Sequence, residues 1–123
     1  MAFNLTLLLC DNMLVSSSTL AAEIFNFAQA MAKANRNSTQ EVIIRRVSAD
    51  GLPVQTSSGF ELTPTHNLDN VFPSDLIHVP ALWRNPRPVV RKHHQYIPWL
   101  QQQHQQNSAI TAVGTGVCFV AEA

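Results

Sequence analysis

The sequence predicts an α/β domain in which a parallel sheet is flanked by helices, and three observations lead there. Short apolar runs alternate along the chain with longer segments of helical spacing, the order expected of repeated strand, helix, strand units. The apolar runs are nearly continuous instead of alternating with polar residues, as suits strands covered on both faces. Hydrophobic residues make up 46% of the 123 positions and charged ones 13%, a buried-core composition that excludes a disordered tail or a solvated coiled coil.

The elements follow in order. "FNLTLLL", Phe3 to Leu9, is a first strand, and "CDNM" is a polar turn after it. "SSSTLAAEIFNFAQAMAKAN" is a helix with a serine or threonine available as N-cap; Leu20, Ile24, Phe27 and Met31 fall on one helical face. "NRNST" closes that helix, and "EVIIRRVSA" reads as a second strand. Around "PVQT" and "FELT", joined by Ser57, Ser58 and Gly59, two short extended pieces suggest a hairpin outside the main sheet. Leu76 to Val79 is a third strand ended by Pro80, and "ALWRNPRP" is an irregular loop. Helical pattern resumes at Val89, where Pro98 either kinks the helix or begins a new one. "SAITAV" is the fourth strand; it enters a Gly114-Thr115-Gly116 corner, and "GVCFVAEA" opens a last helix. Four strands leave the far side of the sheet open, so the chain is expected to be part of a longer protein.

Eight basic residues balance eight acidic ones, which excludes a global field favouring nucleic acid or an acidic membrane. The apolar start is too short for a membrane span or a signal-peptide core, so a cytoplasmic first strand is expected. Cys10 and Cys118 are too few for a disulfide framework and are expected to be reduced and packed. Of five histidines, His93 and His94 are adjacent and diverge on a helix, while His66, His78 and His104 show no ligand spacing; no metal or cofactor is expected. Arg87, Arg91 and Lys92 form a small basic patch that reads as solvated helix surface, as does "QQQHQQN".

Two stretches carry a family resemblance. "VSADGLPVQTSSGFELTPTHNLDN" and "WLQQQHQQNSAITAVGTGVCFVAEA", with weaker support from "SSSTLAAEIFNFAQAMAKAN", resemble the class I glutamine amidotransferase-like (PfpI-like) domain at the N-terminus of AraC-family transcriptional regulators. That resemblance covers nearly the whole chain and implies a flavodoxin-like parallel sheet. It further implies a cytoplasmic homodimer and a C-terminal helix-turn-helix DNA-binding domain beyond this chain.

Enzymes sharing the fold place a nucleophilic cysteine at the strand-to-helix elbow, where Gly114 stands here. They also follow the third strand with paired glycines whose amides stabilise an oxyanion, where this chain has Ala81 and Leu82. Ser17 stands where several of them supply an acid. Catalytic residues are therefore expected to be none, with Cys118 a small packed hydrophobe. What remains is a crevice at the carboxyl ends of the strands, with Asn12, Ser17, Ala81, Trp83, Gly114 and Thr115 as its candidate lining. Trp83 offers either a flat wall for a cationic metabolite, such as a betaine- or arginine-like compound, or an aromatic packing a loop or dimer interface. The expected function is a non-catalytic, ligand-sensing and dimerising regulator domain. The alternatives are a stand-alone PfpI-like cysteine hydrolase or hydratase using Cys118, and a silent dimerising scaffold.

Overall fold

A computed structural model describes residues 2–35, 41–71 and 73–123. Seven strands and four helices run in the order β1 (Ala2–Leu8), α1 (Ser16–Ala34), β2 (Glu41–Ser48), β3 (Val54–Gln55), β4 (Glu61–Leu62), β5 (His66–Asn67), β6 (Leu76–Val79), α2 (Arg87–Lys92), α3 (Tyr96–Gln105), β7 (Ala109–Ala112) and α4 (Val117–Glu122) among the described residues. A turn of 3-10 helix, Gly114–Gly116, joins β7 to α4. The closing segment expected at "NRNST" lies outside the described residues except for Asn35, which caps α1.

The main sheet is parallel throughout, in the order β5-β2-β1-β6-β7, which is the flavodoxin-like arrangement expected. Its centre is β1, whose Leu5, Thr6, Leu7 and Leu8 are buried, because a strand flanked by neighbours and covered on both faces has no solvated side. From β1 the chain steps outward to β2 in one direction and later to β6 and β7 in the other. Right-handed crossovers then put α1 on one face and α3 on the opposite one. Phe25 of α1 stacks on Phe3 at 5.9 Å between ring centroids. On the other face Tyr96, Trp99, Leu100 and Phe119 join Leu8, Cys10, Ile77 and Val79 in one apolar cluster. β3 and β4 pair antiparallel as a separate hairpin, turned at Gly59 with φ +88°, a conformation that favours glycine. β5 is a two-residue addition at the β2 edge that has no apolar run to announce it.

Pro98 lies in the first turn of α3, where its missing N–H has no helical partner to lose. Of the two readings of Pro98, the structure therefore takes the new helix, and α2 ends at a separate turn over His93 to Gln95. The serine-threonine cluster at the start of α1 does not cap it: Val15 occupies the N-cap. Ser17 and Thr19 instead donate their hydroxyls to the carbonyls of Leu14 and Val15. The glutamine run is mostly exposed, but Gln103 is buried, and its Oε1 has no partner among the described residues.

The phase of α1 is set by that first turn. Ser18 is buried at 2% exposure, and steps of four, three and four residues carry the inward face to Ala22, Phe25 and Gln29, whose Oε1 accepts the Val42 N–H. Leu20, Ile24, Phe27 and Met31 share one face, and that face points outward, because each lies about 200° around the helix from the inward series.

Tyr96 ties the two central strands together at their carboxyl ends. Its buried hydroxyl donates to the Leu9 carbonyl at 2.5 Å and accepts the Ala49 N–H at 3.0 Å. Tyr96→Phe keeps the ring but strands both backbone groups, and is expected to lower unfolding free energy by about 1–3 kcal/mol, read from the urea midpoint.

Candidate functional site

The switch point of the sheet falls between β1 and β6, where the chain's crossovers diverge and open α/β sheets form their crevice. Four of the sequence-predicted residues meet at the β6 and β7 side of it. Ser17 Oγ accepts the N–H of Ala81 at 3.0 Å while donating to Leu14 O at 2.6 Å. Thr115 Oγ1 accepts the N–H of Leu82 at 3.1 Å and donates to the Leu82 carbonyl at 2.9 Å. Both amides that follow the third strand, the positions of the oxyanion donors in enzymes of this architecture, are thus bonded to the chain's own hydroxyls.

His78 holds this junction together and carries no local sequence signal. It is 8% exposed, with Nε2 donating to the Ser17 carbonyl at 2.8 Å and Nδ1 in hydrogen-bond contact with the Thr111 hydroxyl at 3.0 Å. The ring links β6 and β7 to the first turn of α1.

The elbow is shaped by two glycines with different reasons. Gly114 has φ +51°, and a Cβ there would stand 3.5 Å from Ala81 Cβ, so space exists but the backbone resists an L side chain. Gly116 has ordinary dihedrals, yet a Cβ there would lie 2.0 Å from the Pro80 carbonyl oxygen. The corner is therefore packed directly against the end of β6. Asn12 lies beside this junction. It exchanges hydrogen bonds with Trp83, through its Nδ2 to the Trp83 carbonyl at 3.1 Å and from the Trp83 N–H to its own carbonyl at 3.0 Å. Trp83 is 47% exposed, and the Arg84 guanidinium carbon sits 5.5 Å from its ring centroid. A cation already covers that ring.

The two cysteines differ. Cys10 is fully buried at the end of β1, and burial, with the Asp11 charge beside it, pushes its thiol far above the ordinary range. Cys118 departs from the expected packed position: it is partly exposed, while Phe119 supplies the buried contact of α4. Cys118 lines a groove of about 460 Å³ with Arg87, Arg91, His94 and Glu122. The basic patch is accordingly divided, since Lys92 turns away and pairs with Asp11.

That pair borders a polar cavity of about 230 Å³ at the carboxyl ends of β1 and β2, lined by Asp11, Ser48, Asp50, Lys92, His93 and Gln95 among others. The Asp11 N–H points at His93 Nε2 at 3.4 Å, so the nitrogen facing the site is an acceptor in the neutral ring. Burial pushes the His93 pKa down, and it outweighs the opposing Asp11 carboxylate 3.8 Å away. Burial also acts to raise Asp11, but the hydrogen bonds from Lys92 and the Gln55 N–H and the neighbouring positive charges outweigh it, leaving its carboxyl below the usual range. His93 stacks on Tyr96 at 5.3 Å, which couples the cavity to the core.

Two outcomes follow. A depressed histidine pKa contributes stability that is complete above the ordinary value of 6.5 and is lost as pH falls, because the unfolded chain takes the proton first. The urea midpoint is expected to drop as pH is lowered from about 7 to about 5, with a smaller drop in His93→Gln. Gly116→Ala forces the elbow off Pro80 and is expected to cost about 3 kcal/mol or to prevent folding, checked by the same denaturation curve.

No protein-family model and no curated protein sequence matches the chain. Solved structures do. A protein of Vibrio parahaemolyticus assigned as a transcriptional regulator superposes with a TM-score of 0.84 at 19% identity, over 99% of this chain and 61% of its own. An AraC-family transcriptional regulator of Pseudomonas putida gives 0.75 at 20%, over 98% of this chain and 70% of its own. A ThiJ/PfpI-family protein of Pseudomonas syringae gives 0.71 at 14%, over 99% of this chain and 46% of its own. The chain thus spans about half to two-thirds of the length of these neighbours. The parallel sheet and its flanking helices superpose on these structures, so this chain has the flavodoxin-like fold of the DJ-1/ThiJ/PfpI proteins, a fold also found in an AraC-family regulator.

Proposed function

We propose that this domain is a non-catalytic regulatory module that senses a small ligand and dimerises, within a regulator that binds DNA through a separate helix-turn-helix domain. The observation that carries this reading is the double occupation of the amides after β6. An oxyanion needs free N–H groups aimed at it, and those of Ala81 and Leu82 are satisfied by Ser17 and Thr115. The elbow position beside them is Gly114, which has no nucleophile to offer. The structural likeness to regulators in two bacteria supports the regulatory role in preference to the enzymes of the same fold.

The effector site in this proposal is the polar cavity at the carboxyl ends of β1 and β2, whose lining includes none of Asn12, Ser17, Ala81, Trp83, Gly114 and Thr115. Its volume of about 230 Å³ suits a metabolite smaller than a drug-sized ligand. The Asp50 carboxylate favours a cation there, Asp11 being already paired with Lys92, while Arg84 lies over the Trp83 ring. Thermal-shift titration with glycine betaine and with arginine tests this: one of them raises the melting midpoint of the chain, and Asp50→Asn abolishes the rise. A midpoint that neither compound moves refutes the cationic effector.

The cysteine-enzyme alternative draws on the partial exposure of Cys118 in its groove. Iodoacetamide at neutral pH separates the two readings. In the regulatory module Cys118 is alkylated no faster than an exposed cysteine in a peptide, whereas labelling many times faster than that would refute a non-catalytic domain.

A further inference from the structure

The polar cavity at the carboxyl ends of β1 and β2 is rich in hydrogen-bond acceptors whose nearby donors are already used. Asp11, Ser48, Asp50 and His93 all present acceptor atoms in its lining. The Gln55 N–H goes to Asp11 Oδ1 at 3.2 Å, the Leu52 N–H to Asp50 Oδ1 at 3.0 Å, and the Asp11 N–H faces His93 Nε2 at 3.4 Å. Ser48 gives its hydroxyl proton to the Leu52 carbonyl at 2.8 Å. The second carboxylate oxygen of Asp50 has no partner among the described residues.

The neighbouring carboxylate shows what satisfies such an oxygen here. Lys92 Nζ bonds directly to Asp11 Oδ2, so a primary ammonium group on a methylene chain is the donor that this rim holds. Asp50 has no equivalent. The rest of the lining fits the remainder of such a molecule, because Ala49, Pro53 and Val54 offer an apolar wall to methylene groups.

The need for a donor separates the classes of cation. A quaternary ammonium group has no N–H, so it takes water from the Asp50 oxygen without replacing the lost bond. A primary ammonium group brings three N–H donors on a compact charge, and hydrogen bonds between charged groups are the stronger kind.

We infer that the effector of this cavity carries a primary aliphatic ammonium group, held on the unpartnered oxygen of Asp50 beside the pair of Lys92 and Asp11, with its methylenes against Pro53 and Val54. This deepens the cationic-effector reading of the same cavity and rests on it. Between arginine and glycine betaine it selects arginine, whose α-ammonium group has N–H donors. Lys92 limits the strength of binding, since its ammonium is a like charge beside the ligand's and occupies a carboxylate that is otherwise open to it.

Thermal-shift titrations of the chain at constant ionic strength test the inference, with n-butylamine and putrescine set against tetramethylammonium and glycine betaine. Both amines are protonated at neutral pH and are expected to raise the melting midpoint, half-saturating at least ~10-fold below either quaternary compound. Lys92→Met keeps an unbranched chain without the charge and is expected to lower the amines' half-saturating concentration about 3-fold. Arg91→Met, on the same helix but lining the other groove, is expected to leave it unaltered. Quaternary compounds that match the amines overturn the primary-ammonium requirement and leave the cationic effector standing. A Lys92→Met chain that binds amines no more tightly overturns the placement beside Asp11. A midpoint that no cation moves overturns both this inference and the reading on which it rests.

Discussion

Much of this domain depends on how Ser17 is held. Its carbonyl receives the His78 Nε2–H from the middle of the sheet, and its hydroxyl receives the Ala81 N–H from the loop after β6. These bonds join the start of α1 to the end of β6 across the switch point of the sheet. A helix held by its first turn has no freedom left in its rotation about the axis, since every later side chain follows at about 100° per residue. Ser17 therefore fills part of the crevice and, together with the burial of Ser18, decides that the small residues of α1 face the sheet and the large ones face out.

The glycine corner after β7 works with this junction. Gly116 allows the 3-10 turn to rest on the Pro80 carbonyl, and Thr115 then reaches Leu82 from the other side. In an enzyme of this architecture the corner presents a thiol to a pair of free amides, and the protein bears the cost of leaving those donors open. Here the two amides are bonded to the hydroxyls of Ser17 and Thr115, which stabilises the loop.

The polar cavity at the ends of β1 and β2 follows another logic. His93 is kept neutral by burial, although a carboxylate lies nearby, because desolvation of an imidazolium outweighs an attraction that Asp11 already shares with Lys92. Tyr96 below it fixes the spacing of the two strands whose ends form the floor. A bound molecule in this position would touch the loops after both strands and, through the Asp11 to Ser17 turn, the start of α1. The elements linking the crevice to the outer face of α1 are thus a short turn and a rigid helix.

The strand runs, the parallel class, the hairpin at Gly59 and the glycine corner at Gly114 were all legible in the chain alone, because each depends on a local pattern or on the chemistry of one residue. The two-residue β5, the division of Arg91 from Lys92 and the covering of Trp83 by Arg84 were not, since side-chain direction at an irregular loop is set by packing and not by propensity. The four apolar residues of α1 show the boundary most clearly. Their common face was determined by sequence spacing, but whether it turned to the sheet or to solvent was decided by bonds between residues 61 and 64 positions apart. The same long-range bonds decided that the amides after β6 are occupied, because a sequence names its donors and acceptors while only the folded chain brings each one to its partner.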